Sequence, residues 1–162
     1  MTRRAQIGFA LAVVALAFAA AGAYAATGSR GPSLEVSLIH ATLTDAGLSV
    51  DPALKDLPQL TRDQPFIRYN GYRLLDRKRF PLERSKPITF VLPNGRTLQA
   101  SLDGVSLGKG ERRYQLDTQI GDPGKPAFLK SLHVTASENE PFFVGGQSNK
   151  GGTLFLELVV RP

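Results

Sequence analysis

Ile88-Thr89-Phe90-Val91-Leu92-Pro93-Asn94-Gly95-Arg96-Thr97-Leu98-Gln99-Ala100-Ser101-Leu102 is the stretch that decides the fold class. Two runs of alternating apolar and polar side chains flank Asn94-Gly95, and both of those residues accept the positive φ of a tight type I′ turn. A period of two sends Phe90, Leu98, Ala100 and Leu102 to one side of a pleated ribbon and Thr89, Gln99 and Ser101 to the other. The segment therefore reads as a β-hairpin with one face buried.

The same alternation extends in both directions. Leu34, Val36 and Leu38 oppose Glu35 and Ser37, which opens the domain near Leu34. Further strands are expected over residues 72–75, 114–120, 129–136, 141–144 and 153–160, with turns supplied by Gly104, by residues 108–110, 121–126 and 145–152. Asp51-Pro52, followed by Leu54 and Leu57 and stopped by Pro58, reads as an N-cap, a proline at the first helical position and one short amphipathic turn that lids an end of the sheets. The last strand, Leu154-Phe155-Leu156-Glu157-Leu158-Val159-Val160, is apolar on nearly both faces, the signature of a central strand covered on two sides, or else of a strand donated to another subunit. About seven to eight strands with one short helix predict an all-β fold, an antiparallel β-sandwich of Ig-like or jelly-roll type over residues 34–162.

Upstream of that domain lie two arginines, Arg3 and Arg4, an apolar run over residues 7–21, and Ala23-Tyr24-Ala25. This is the order of a secretory signal peptide over residues 1–25, with Ala23 and Ala25 fitting the small-residue pockets of the peptidase and cleavage after Ala25. An uncleaved N-terminus would instead serve as a membrane anchor, since residues 7–26 are apolar over about the length that spans a bilayer. Thr2-Arg3-Arg4 also resembles a twin-arginine start, although Gln6 occupies a position usually apolar, which favours the general secretory route. Residues 26–33, rich in Gly, Ser and Pro, are expected to form a flexible spacer. Export implies a periplasmic or secreted protein.

Composition narrows the chemistry. With no cysteine the chain has no disulfide, no thiolate metal site, no cysteine nucleophile and no lipidated N-terminal cysteine. Removing Arg3 and Arg4 leaves 18 basic against 14 acidic side chains, a net of +4, so the exported chain is only mildly basic. His40 and His133 stand far apart in separate predicted strands, without a ligand pair at metal spacing, so no metal site and no cofactor are expected. Gly146-Gln147-Ser148-Asn149-Lys150 approaches the nucleophile-elbow pattern but ends in lysine and joins strand to strand rather than strand to helix. The surrounding glycines lack the Gly-Lys-Ser/Thr order and the following helix of a phosphate loop. No catalytic residue is assigned.

Two contact surfaces stand out. Residues 62–86 hold eight basic side chains against three acidic ones, with aromatics interleaved. Arg68, Tyr69, Tyr72, Arg73, Arg77, Lys78 and Arg79 form the candidate patch. In the cytoplasm such a stripe would suggest nucleic acid; after export its partners are an acidic protein surface or an anionic envelope polymer. The bland alternative is a solvated strand face whose cationic stems cover apolar surface and blunt an edge. The second surface is the glycine-rich loop Gly145, Gly146, Gln147, Ser148, Asn149 and Lys150, where backbone without side chains lets another chain approach. The sequence thus points to a non-enzymatic envelope module that works by binding. A carrier of a small ligand or glycan in a β-barrel pocket is the alternative, and a periplasmic hydrolase whose residues converge only in space is the third.

Overall fold

The computed structural model describes residues 31–108, 110–122 and 128–162, the side chains of 128–130 excepted. The signal peptide expected over residues 1–25 lies outside them, as do most of the spacer and of the turn at 121–126. At the spacer's described end, β1 begins at Ser33 and the Pro32 carbonyl accepts a hydrogen bond from Leu82 N at 2.8 Å.

Among the described residues nine strands form two sheets. The first has the order β2 (Ser49–Val50), β3 (Gly71–Pro81), β1 (Ser33–Thr42), β9 (Gly152–Arg161), β8 (Pro141–Asn149). The second is a plain meander of β4 (Ile88–Val91), β5 (Thr97–Gly108), β6 (Glu111–Gly121) and β7 (Phe128–Ser137). The protein is thus an all-β sandwich, antiparallel except where the two-residue β2 runs parallel to β3. Leu34, Val36 and Leu38 from β1, Leu156 and Leu158 from β9, and Leu98 and Leu116 from the meander close a dry interior between the layers.

β9 lies between β1 and β8 of its own chain, which satisfies the sequence reading of a central strand and leaves nothing of it to donate. Its even-numbered residues from Leu154 to Val160 face the sandwich core, and Phe155 faces a second core on the opposite side of the sheet. That second core corrects the expected lid. The helical segment is longer than one turn: a 3-10 turn over Pro52–Leu54, α1 at Gln59–Arg62, and another 3-10 turn over Phe66–Arg68. Pro58 is the N-cap residue of α1 rather than a stop. Together these turns lie on the outer face of the five-stranded sheet, where Leu54, Leu57, Leu60 and Phe66 pack on Ile39, Ala41 and Phe155. The physical cause is in the strands: β1 and β9 put apolar side chains on both faces, so the outer face also needs cover. The ring of Phe66 meets Phe143 and Phe155 edge-on, with centroids 4.7 and 4.9 Å apart. Asp51 caps the first turn as expected, accepting from Ala53 N at 2.9 Å, and its second oxygen accepts from Leu74 N at 3.2 Å, which ties the cap to β3.

Turn chemistry differs from expectation at two hairpins. Between β4 and β5, Gly95 N donates to the Leu92 carbonyl at 2.9 Å, and Gly95 has φ of +83° while Asn94 is not in the left-handed region. The loop is the three residues Pro93-Asn94-Gly95 instead of a two-residue type I′ turn, because Pro93 fixes the φ that the first corner of a type I turn uses. Between β8 and β9 the long glycine-rich loop is mostly strand. β8 runs to Asn149, bulges at Gly146 and turns through Lys150 and Gly151, both at positive φ. Gly104 likewise lies inside β5, next to a bulge at Asp103, rather than in a turn.

Candidate functional site

Strand alternation decides what the basic segment can do, because neighbours in sequence on β3 point to opposite sides of the sheet. Arg77 stands opposite Ser37 and Arg79 opposite Glu35 on the outer face, whereas Lys78 stands opposite Val36 and Arg73 opposite His40 on the inner side. The seven residues are therefore not gathered on one surface. Tyr72 is buried, 4% exposed, and its hydroxyl faces the carbonyls of Phe66 and Tyr69 at 2.7 and 3.0 Å, a bond that pins the last turn of the cap. Burial pushes its phenol pKa up. Tyr69 packs edge-on against Phe155 and bonds Thr153 Oγ1 at 2.8 Å. The buried Tyr72 ring is thus closed to a ligand, whereas Tyr69 is half-buried and lines a shallow hollow with Leu43 and residues 148–153.

The cations are partly spoken for as well. Arg79 pairs with Glu35 at 2.8 Å, Lys78 pairs with Asp76 at 2.9 Å and lies 5.3 Å from the Phe90 ring centroid, and Arg77 donates to Ser37 Oγ and the Ala53 carbonyl. Arg68 and Arg73 are exposed without a partner among the described residues. β2 pairs only with Gly71 and Tyr72, so from Arg73 onward β3 is a sheet margin whose charges guard it.

The glycine-rich segment is a margin of the opposite character. Gly145 stands opposite Phe155, and a Cβ on Gly145 would sit 2.4 Å from the Phe155 ring, so the glycine is what lets that ring enter the second core. Gly146 adopts φ of +88° at the bulge with open space around it. Gln147 accepts a hydrogen bond from Arg96, and Asn94 Nδ2 donates to the Ser148 carbonyl at 3.3 Å, so the β4–β5 turn docks on the end of β8. Arg96 also pairs with Asp122 at 2.9 Å.

The histidines fall on different sheets. His40 Nε2 is 3.1 Å from the Asn149 carbonyl; His133, exposed, lies 3.6 Å from Asp117 and 4.0 Å from Asp103 on the outer face of the meander. Asp117 also accepts a hydrogen bond from Ser131, which holds its carboxyl below the usual carboxylate range against the opposing effect of burial, with help from Gln119 and His133. Ser131 thus donates to the carboxylate and not to the imidazole, which is not the order a serine nucleophile needs. Among the described residues no group of three His, Asp or Glu side chains is arranged to hold a metal ion.

Sequence reasoning missed a third surface. The cap covers only part of the outer face, and beyond its edge the strand order β3, β1, β9, β8 sets Arg77, Ser37, Glu157 and Phe143 in one cross-strand row and Arg79, Glu35, Val159 and Pro141 in the next. Between these rows, Asp56 and Leu57 of the cap, and Arg161, lies a cleft of about 260 Å³. Burial alone would raise the pKa of Glu35, but hydrogen bonds and charge from Arg79 and Arg161 bring its carboxyl below the ordinary range. Arg161 donates through Nη2 to Glu35 at 3.0 Å and through Nη1 to Asn139 at 3.1 Å. Glu157, only 5% exposed, makes no hydrogen bond or ion pair with any described residue. The signal was present: a buried polar residue is more informative than a buried apolar one, and Glu157 is the single charge in the otherwise apolar run of residues 154–160. No family model, curated protein or solved structure matches this chain.

Proposed function

We propose that this chain is an exported, non-enzymatic binding module of the bacterial cell envelope, periplasmic or secreted, which engages a partner protein by accepting an added strand along β8. The observation that carries this reading is the contrast between sheet margins. β3 is guarded from Arg73 to Arg79 by five charged side chains and β4 is only four residues long, whereas the nine residues of β8 carry no charge at all. Long, unguarded strand edges are what proteins ordinarily avoid unless another strand is to pair there. Exposed Gly145 leaves the backbone of that edge approachable up to the bulge at Gly146, beyond which Asn94 already holds the Ser148 carbonyl.

Export rests on Arg3-Arg4, the apolar run behind them and Ala23-Tyr24-Ala25. The architecture behind the proposal is a sandwich nearer the jelly-roll than the Ig-like kind, since the first and last strands, β1 and β9, lie side by side; the plain meander lacks the Greek-key exchange both types use. A second reading, contact with an anionic polymer or acidic protein through the β3 margin, is supported by the unpartnered Arg68 and Arg73.

Capture of purified envelope proteins by the mature chain separates the two. Ser148→Lys places a charge on the β8 margin and is expected to abolish capture at all salt concentrations, together with loss of amide-exchange protection that the partner confers on β8. Replacing Arg77, Lys78 and Arg79 by Ala should leave capture intact. Loss of capture in the triple variant alone, relieved or deepened by salt, transfers the function to the β3 margin. Capture indifferent to both changes overturns both surfaces.

A further inference from the structure

Several strands of the larger sheet start or stop together at one end of the molecule. Thr42, the last residue of β1, and Ser49 of β2 stand on either side of Gly71, where β3 begins, and the β8–β9 turn delivers Thr153 opposite Ala41. Asn70 ties this end together. Its side chain accepts from Thr44 N at 2.8 Å and donates to the Thr44 carbonyl at 2.6 Å, while its own N–H donates to the Thr42 carbonyl at 3.0 Å and its carbonyl accepts from Ser49 N at 2.6 Å. Both legs of the β1–β2 loop are thereby clamped, and the clamp holds its leucines away from the two cores. Leu43 is 71% exposed and Leu48 66%, and Ile67, on the 3-10 turn that leads into Asn70, is 47% exposed. One exposed leucine is ordinary; three aliphatic side chains held out at one end by a pinned backbone form a surface suited to an apolar partner.

Charge defines that partner. The shallow hollow between Leu43, Tyr69 and the β8–β9 turn contains one charged group, Lys150, and no carboxylate. Arg68 and Arg73 stand beside Tyr69 and Tyr72, exposed and, like Lys150, without a partner among the described residues. Against these three cations stand Asp45 on the loop and Asp51, whose two oxygens are engaged by the backbone amides of Ala53 and Leu74. Arg62 and Asp63, further back on the cap, offset each other. Aliphatic tips projecting beyond a cationic rim match a bilayer, whose hydrocarbon lies beneath a plane of phosphates. We infer that this end of the molecule docks on an anionic lipid surface, with Leu43 and Leu48 entering the headgroup layer and Arg68 and Lys150 meeting lipid phosphates. The surface is the end of the sheet rather than its β8 margin, so lipid docking and strand addition can fail separately.

Cosedimentation of the mature chain from Ala26, which holds every described strand and lacks the apolar run of residues 7–21, tests the assignment. Vesicles of phosphatidylglycerol mixed with phosphatidylcholine are expected to carry the chain down, and vesicles of phosphatidylcholine alone are not. Leu43→Ser combined with Leu48→Ser should weaken binding by about tenfold or more without lowering the melting temperature, since both side chains are exposed in the free protein. Arg68→Gln and Lys150→Gln should each weaken it by about fivefold and reduce its salt dependence, and Asp45→Asn should strengthen it. Because the chain has no cysteine, Leu48→Cys carries a polarity-sensitive fluorophore at a single thiol. Its emission should shift to the blue on anionic vesicles, whereas the same label at Leu107→Cys, on β5 of the other sheet, should not respond. The label also reports insertion directly should the double serine variant fail to fold. Equal binding to both kinds of vesicle, no binding to either, undiminished binding of a folded double serine variant, or equal shifts from the two labels overturns the inference.

Discussion

Single side chains in this sandwich are fixed by what stands opposite them one strand away. Gly145 illustrates the sharpest case, since its missing Cβ is the space that the Phe155 ring occupies. Gly145→Ala would place a methyl 2.4 Å from a ring carbon and 3.1 Å from the Phe155 backbone, so the ring must leave its edge contacts with Phe66 and Tyr69. We expect a loss of about 1–3 kcal/mol in urea unfolding, with an unchanged dependence on denaturant concentration. Glu35 is the electrostatic counterpart. Its carboxyl is held below the ordinary range by Arg79 and Arg161, so the folded state binds a proton there less readily than the unfolded chain. The sign follows: the contribution is fully present above the unfolded carboxylate pKa of about 4.3 and is lost as the pH falls through the lower folded value. Glu35→Gln should therefore destabilise the protein at neutral pH and flatten the acid limb of a stability–pH profile below about pH 4.3. The residual slope in that window belongs in part to Asp117, which is shifted in the same direction.

At the level of elements, the helical cap is where local sequence signals and tertiary demand diverge most. Asp51-Pro52 announced a turn, and the turn is there, but nothing local in residues 58–68 predicts where the chain goes next. Its path is set by Ile39, Ala41 and Phe155, which lie far away in sequence and need covering. Leu60 is the plug of this second core, fully buried although it belongs to a helix of four residues. Leu60→Ala is expected to cost about 2–5 kcal/mol, which near-ultraviolet circular dichroism should report through Phe66, Tyr69 and Tyr72 before the sandwich itself melts. Retention of full stability would mean that the cap is an ornament on an independently stable sandwich. The hairpin and β9 were legible because period-two alternation and a doubly apolar run are local facts. The loop at Pro93 was misread because the Asn-Gly signal was weighed without the proline before it, which imposes a different corner.

Across the whole molecule, the architecture was readable and the wiring was not. Composition and alternation specify that strands pair into layers, but they do not say that β9 lies beside β1, or that Glu157 ends in the same row as Ser37 and Arg77. For that reason the basic segment looked like one surface in sequence and is two in space, while the charged cleft, assembled from four strands and the cap, had no contiguous signature. Only Glu157, a carboxylate embedded among leucines and valines, betrayed it.

The adjacency of β1 and β9 also governs when the molecule can come into being. Ser33 and Arg161, hydrogen-bonded neighbours in the finished sheet, are 128 residues apart along the chain. A polypeptide that emerges with its N-terminus leading holds β1 in waiting, with one flank unsatisfied, until the ninth strand is released. The five-stranded sheet therefore closes late, through a contact of long sequence separation that slows folding.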